Sequence, residues 1–422
     1  MIPLQFLRDN KEKIISKLSK RNFKNFEIIN TIISLDETCR KIQVKLDNEL
    51  SNANNINKQI GLLFKNKKHL EVSELKEKSI IIKSKAKELQ NELKQNREKL
   101  LNLRTQVPNI PDEKVSPGTS EIDNEEVYKN DKITSLESSA LPHWELAEKN
   151  KIIDFELGNK ITGSGFPVYI GKGAKLQRAL INYLLDKNIS AGYNEFQVPH
   201  VVNEDSGFAT GQLPDKEGQM YHINNENLYL IPTAEVPLTN IYRNKLLSYN
   251  DLPISMTSYT PCFRREAGSY GSDVRGLNRL HQFDKVEIVR IEEPQNSSKA
   301  LDIMVNHVKK ILNELELPYR ILKLCGGDLG FASSITYDFE IYSAAQKKWL
   351  EISSVSNFKD FQSERLKLRY KNKKGEKKLL HTLNGSSLAL PRLMAGLIEN
   401  NQVSETIKIP KKLIPYTGFD KI

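Results

Sequence analysis

Residues 260–289 read TPCFRREAGSYGSDVRGLNRLHQFDKVEIV. Both ends are short strand-like runs, and between them lies a loop rich in glycine and charge. The segment concentrates Arg264, Arg265, Glu266, Arg275, Arg279, His281 and Glu287. Flanking strands predict that Arg264 and Glu287 sit on core strands, where a buried charge requires a partner. Bound phosphates and an ammonium group would supply such partners, whereas a loop charged only for solubility would not need them.

Two more clusters lie downstream. In EISSVSNFKDFQ, from Glu351, an acidic residue is followed by two hydroxyls, a pattern suited to Mg²⁺ bridging to phosphate. HTLNGSSLALPRLMAGLIENNQ, from His381, reads as a turn holding Asn384 and Ser386 that leads into a helix carrying Arg392. A turn or a structural salt bridge explains each cluster alone, but not the three together. GKGAKL at 171–176 lacks the GxxxxGK[ST] spacing of a phosphate loop, and no Rossmann fingerprint is present. It reads as a turn before the helix AKLQRALINYLLDK, so a nucleotide would be gripped by side chains elsewhere.

Upstream the sequence changes character. Ile28, Ile32, Leu35, Cys39, Ile42, Leu46, Ala53, Ile56, Ile60 and Leu63 follow a heptad seam that only Glu49 breaks. After the basic tip FKNKKH the seam resumes with Val72, Leu75, Ser79, Ile82, Ala86, Leu89, Leu93, Asn96, Leu100 and Leu103. Two helices of similar length around a short tip predict an antiparallel hairpin over about 28–103, reaching roughly 50 Å at 1.5 Å per residue. Ser79 and Asn96 are expected to fix its register. The same periodicity would also serve a dimerising coiled coil. The prolines of VPNIPDEKVSPGTS end the pattern, so 1–106 is an N-terminal domain, 107–120 a linker and 121–422 one mixed α+β domain.

Residues 1–104 carry 23 Lys+Arg against 13 Asp+Glu, and the rest of the chain carries 40 of each. The whole net charge of +10 therefore lies in the N-terminal quarter, which includes the hairpin. Such a surface attracts polyanions, either a nucleic acid or an anionic membrane surface. Cys39, Cys262 and Cys325 are too far apart for a disulfide framework or a clustered metal motif, and no apolar run has the length of a signal peptide or a membrane span. A cytoplasmic protein is expected.

Taken together, FRREAG followed by RGLNRLHQFDKVE resembles the second signature of class II aminoacyl-tRNA synthetases in its seryl form, bacterial type. LNGSSLALPRLMAGLIEN resembles the third. The helix before GYNEFQVPHVV, with Pro199, resembles the first, which in the family forms the dimer interface. TGQLP at 210–214 and YLIPTAEVPLTN at 229–240 are similar to segments of the seryl enzymes, and the likeness runs from LRDN to PYTGFDKI.

The resemblance implies a helical arm that binds tRNA(Ser), a homodimer with no membrane association, and a catalytic domain built on an antiparallel sheet flanked by helices. It implies that ATP and Mg²⁺ serve to activate L-serine, followed by transfer to the 3′ end of tRNA(Ser), and of tRNA(Sec) where that is present. Arg264 and Arg392 would hold the α and γ phosphates. Phe283 would stack on adenine, and Glu266 would meet adenine or the incoming tRNA end. Arg265, Ile352 and Ser353 would complete the ATP site, with Glu351 and Ser354 on Mg²⁺. Thr233, Ala234, Glu235, Glu287, Asn384 and Ser386 would line the serine site.

The chain departs from the family pattern in three places. Where NGSGLAVGR is common it has Ser387 and Pro391 in place of two glycines. Ser387 is expected either to accept a glycine-like backbone or to shift it, and Pro391 to be harmless in a first helical turn. Gly165 stands where an arginine is common. A silent relative without activity, and a coiled-coil scaffold or nucleic-acid binder, are the competing readings; the scaffold leaves all three clusters unexplained.

Overall fold

A computed structural model describes residues 1–422 except 67–68, 131–132, 134–135, 137–139, 216, 267–274 and 405. Part of the tip FKNKKH and the loop between Glu266 and Arg275 thus lie outside the described residues. The chain divides into two compact units. One is Ile2–Ser16 with Phe23–Pro108; the other is Met1, Lys17–Asn22 and Asn109–Ile422.

In the first unit the heptad seam builds a hairpin of α1 (Glu27–Lys65) and α2 (His69–Arg104). Ile28, Ile32, Cys39, Ile42, Leu46, Ala53, Val72, Ser79, Ala86, Leu93 and Leu100 are buried between the helices. The other seam positions are half-buried. Partners across the seam run in opposite directions, as an intrachain antiparallel pair requires: Arg97 donates to Gln43 at 2.8 Å, Lys85 pairs with Glu49 at 2.5 Å, and Ser79 donates to Asn57 at 3.3 Å. Glu49, the break in the pattern, is therefore an ion-pair partner. Ser79 does cross the seam. Asn96 instead donates to Glu92 O one turn back on its own helix, so it does not fix the register.

The second unit is built on an eight-stranded sheet. Its strands are β1 (Glu125–Lys129), β2 (Asn194–Glu195), β3 (Ile254–Phe263), β4 (Gln282–Glu292), β5 (Tyr319–Lys323), β6 (Ile335–Ser343), β7 (Lys348–Lys359) and β8 (His381–Ala389). Their order is β1-β5-β6-β7-β8-β4-β3-β2, antiparallel except for β2 beside β3. Three helices share a core with the sheet: α3 (Lys172–Ser190), α4 (Ser297–Glu314) and α5 (Leu390–Asn400). Leu180 and Tyr183 of α3, Met304 and Val308 of α4, and Leu393 and Leu397 of α5 bury Val286, Ile288, Phe339, Val355 and Leu383. Successive strand residues alternate faces, so Glu287, Asn384, Ser386, Ser354 and Asp338 belong to the opposite face. The register sets Glu287 against Ser386, Asn384 against Ser356, and Ser354 against Asp338.

Two expectations need correction. Residues 381–389 form a central strand and not a turn. Gly385 is there for packing, since a Cβ would lie 3.1 Å from Val355 Cγ2. Glu287 is on a core strand, but Arg264 lies one residue beyond the end of β3, where its side chain is only half-buried.

The stretch after Pro108 packs into the second unit. Asn109 donates to Ala332 O and Phe358 O, both at 2.8 Å, and Val115 is buried in the core. Lys17–Asn22 belong to the same unit through Arg21, whose guanidinium donates to the carbonyls of Asn109, Leu329, Gly330 and Ser333 at 2.7 to 2.9 Å. Burial lowers the Arg21 pKa to about 10.

Candidate active site

Two buried carboxylates form the centre of the polar face. Glu287, on β4, accepts from Thr233 Oγ1 at 3.2 Å and from Asn384 Nδ2 at 3.2 Å, and pairs with Lys285 Nζ at 2.6 Å. Glu235 opens the short helix Glu235–Asn240 and accepts from Gln362 Nε2 at 2.6 Å and Asn384 Nδ2 at 2.9 Å. Asn384 therefore bridges both carboxylates with one amide nitrogen. Burial first, and the neighbouring Glu287 second, push the Glu235 carboxyl up to about 7. The TGQLP segment takes part through Thr210 O, which accepts the other Gln362 amide bond at 3.0 Å.

Beyond the end of β3, Arg264 places its guanidinium carbon 5.4 Å from the centre of the half-buried Phe283 ring. His281 holds the Arg264 backbone: its carbonyl accepts from Arg264 N at 2.9 Å, and its Nδ1 lies 3.1 Å from Arg264 O. Arg265 is exposed, and Glu266, with a left-handed φ of 47°, is paired with Arg279. Arg392, in the first turn of α5, donates through Nε to Asn278 O at 2.8 Å and through Nη1 to Glu351 O at 2.9 Å. The Glu351 carboxylate is exposed, 3.5 Å from the same Nη1.

Some expected residues do not reach the face. Ile352 is in the hydrophobic core, and Ser353 is buried with its hydroxyl donating to Ser386 O at 2.6 Å. Their side chains are thereby committed, and only their backbone is left for a ligand. Ala234 caps the helix Glu235–Asn240 through backbone geometry alone.

The arrangement is a sheet carrying a buried acidic pair, with Arg264 just beyond the C-terminal end of β3 and Arg392 in the first turn of α5. Residues 219–401 match the family model of the tRNA synthetase class II core domain (G, H, P, S and T), and residues 1–111 match the seryl-tRNA synthetase N-terminal domain. A serine–tRNA ligase of Salinibacter ruber is 45% identical, covering 100% of this chain and 99% of the relative. The chain belongs to the seryl-tRNA synthetase family. Among solved structures, the seryl-tRNA synthetase of Pyrococcus horikoshii complexed with ATP superposes with a TM-score of 0.91 at 32% identity, covering 100% of this chain and 99% of that one. The cytoplasmic serine–tRNA ligase of Naegleria fowleri in complex with AMP gives 0.85 at 26%, covering 100% and 98%.

The structure accounts for the departures from the seryl-tRNA synthetase pattern. The left-handed residue in this stretch is the buried Leu388, at φ 80°, and not Ser387. Ser387 is buried, and its hydroxyl donates to Asn188 Oδ1 at 2.9 Å. That amide also meets His307 Nε2 at 2.7 Å and donates to Thr257 Oγ1 at 2.9 Å, which in turn donates to Glu287 O at 2.8 Å. Ser387→Gly is therefore expected to destabilise the second unit by about 1–3 kcal/mol, through a lost buried hydrogen bond and a looser strand. A thermal or urea unfolding midpoint equal to that of the parent would refute this. Pro391 lies within the first turn of α5, as expected. At Gly165, φ is 81° and a Cβ would stand 2.5 Å from His281 Cδ2, so a larger residue would displace the histidine that holds Arg264.

Sequence reading missed four residues of this site. Lys285 is the cation of the acidic pair, Gln362 holds Glu235, and Asn278 offers its carbonyl to Arg392. Asp338, beside Ser354, has a buried Oδ1 with no partner, and burial, then the nearby Glu351, raises its carboxyl well above the usual range. Lys285 was legible as the i−2 neighbour of Glu287 on one strand face; Asp338 becomes a neighbour through strand pairing, and Gln362, on the short helix Phe361–Leu366, and Asn278, in a loop, only through tertiary packing.

Proposed function

We propose that this chain joins L-serine to ATP, forming seryl-adenylate and pyrophosphate, and then transfers the seryl group to the 3′ end of tRNA(Ser), and of tRNA(Sec) where a cell makes one. The observation that carries the reading is a charge imbalance. Glu235 and Glu287 are buried together with Lys285 paired to Glu287 alone, so ionising Glu235 calls for a further positive charge beside it, which the substrate ammonium would supply. Thr233, Ser386 and Asn384 give the pocket hydroxyl and amide groups for the serine side chain. A site built to bond a hydroxyl rejects alanine, because its polar groups would stay unpaired.

The serine carboxylate is ionised at neutral pH and attacks the α phosphorus as pyrophosphate leaves, with no general base required. Arg264 at the α phosphate and Arg392 at the γ phosphate neutralise and align the reacting groups, while Phe283 offers a face for adenine. In the second step a terminal ribose hydroxyl of tRNA attacks the carbonyl of the mixed anhydride, and AMP leaves.

Glu351 and Ser354 would hold Mg²⁺, which supplies neutralisation of phosphate charge. The orphaned Asp338 Oδ1 beside them makes the donor set one of hard oxygens. Among the described residues no three acidic, imidazole or thiol groups form a closed cage, which suits a cation that takes its remaining ligands from phosphates and water. The hairpin would carry tRNA, the α3 region would form a homodimer, and the reaction belongs in the cytoplasm. No helix among the described residues is long and apolar enough to cross a membrane.

Because Glu235 must ionise to meet the ammonium, KM for serine should rise about tenfold per pH unit as pH falls below about 7. Without ligand the same raised value makes ionised Glu235 a folding cost, fully present above about 7 and gone below the unfolded value of 4.5. KM for serine from pH 5.5 to 8.5 checks this; a flat profile removes Glu235 from recognition. The activity itself is tested by serine-dependent exchange of pyrophosphate into ATP, followed by charging of purified tRNA. Folded protein without exchange would end the enzyme reading.

A further inference from the structure

His143 and Glu399 are fully buried in the second unit, away from the carboxylate pair. Glu399, on α5, accepts from His143 Nδ1 at 2.7 Å, from His143 N at 2.9 Å, from Gln346 Nε2 at 3.1 Å and from the Ser343 hydroxyl. The other ring nitrogen, His143 Nε2, accepts the Leu277 backbone N–H at 2.8 Å. An amide N–H only donates, so the ring carries its proton on Nδ1, and Glu399 selects that tautomer.

Leu277 and Asn278 lead back to the nucleotide side of the site. Asn278 O receives Arg392 Nε, and Asn278 Nδ2 donates to Gln346 Oε1 at 2.9 Å. Two chains of bonds thus run from Glu399 to the same short segment, one through His143 to Leu277 and one through Gln346 to Asn278. Arg275 packs its guanidinium carbon 4.8 Å from the centre of the Trp144 ring, and at Gly276, with φ 66°, a Cβ would meet His143 Nε2 at 2.3 Å. The segment is held close against His143 and Trp144. Glu399 and Arg392 are seven residues apart on α5, two turns on one face.

We propose that His143, Gln346 and Glu399 are positioning residues that lock residues 275–278 onto α5, so that the Asn278 carbonyl aims Arg392 at the terminal phosphate of ATP. This rests on the reading of Arg392 given above. Arg392 has one guanidinium edge on Asn278 O and Nη1 on Glu351 O, so loss of the Asn278 contact leaves a long side chain to find its orientation at each binding event.

The test compares ATP with AMP, which lacks the distal phosphates, by calorimetry on the full chain. His143→Ala should weaken ATP binding about tenfold while AMP and serine affinities stay within about twofold. His143→Gln, which can offer an N–H to Glu399 and an oxygen to Leu277, should recover part of the loss. Gln346→Ala should shift ATP in the same direction by less, and it decides the matter if His143→Ala does not fold. Folded His143→Ala or Gln346→Ala with a lower melting temperature but parental ATP affinity per active site would overturn the proposal. So would equal losses for ATP and AMP. Arg392→Ala is the control: if it leaves ATP affinity unchanged, the role of Arg392 is misread and the inference falls with it. If it weakens ATP while the positioning variants do not, only the inference falls.

Discussion

Removing residues 47–89 and rejoining the helices with a short glycine linker is expected to leave serine-dependent pyrophosphate exchange within about twofold and to lower tRNA charging at least about a hundredfold. The cut keeps Leu46 and Leu93 in the seam and the Gln43–Arg97 bond, while discarding nine lysines. The two units have separate cores, and every residue assigned to adenylate formation belongs to the second. The shortened chain should also show a flatter salt dependence of KM for tRNA, since each lost phosphate contact removes its share of counterion release. Charging that survives at parental efficiency would dissociate the hairpin from tRNA.

Glu287→Gln is expected to raise KM for serine by about two orders of magnitude with KM for ATP within about twofold, because the substitution removes a charge that meets the ammonium and leaves the arginines alone. Glutamine keeps the length of the side chain and an oxygen for Thr233 and Lys285, losing only the one that Asn384 meets, so it is a cleaner probe than alanine. Glu287→Ala would strand the Lys285 ammonium in the interior and add a folding cost of about 3–5 kcal/mol. Steady-state exchange kinetics with each substrate varied in turn give both constants. Equal increases for serine and ATP would show that Glu287 supports the site and does not recognise serine.

The hairpin was legible almost residue by residue, because a heptad seam is a local property: each position depends on neighbours three and four residues away. Even its exception, Glu49, had a physical meaning that needed the opposite helix to appear. In the second unit the paired ends of residues 260–289 were legible from alternation. The strand at 381–389 was read as a turn because Asn, Gly and Ser are turn formers, whereas here Gly385 clears space for Val355 and Asn384 faces two carboxylates. The resemblance puts Ile352 and Ser353 in the ATP site, and the strand turns their side chains to the core and to Ser386 O, a commitment of side chain against backbone that needs the neighbouring strands to appear. Gln362, Asn278, His143 and Glu399 could not be read out, since their significance arises from contacts between residues up to 256 apart.

The contrast between the seam and the sheet also sets an order of events during synthesis. The hairpin contacts are complete once residue 104 has emerged, and they close over a short tip, so this part can form early. The sheet cannot be finished until β8 is available: β1 pairs with β5 nearly two hundred residues later, and β8 is the strand between β4 and β7. At about 5–20 residues per second, some 15–60 s separate the two moments. Throughout that interval a nascent chain displays its basic arm before it has any means of making an adenylate.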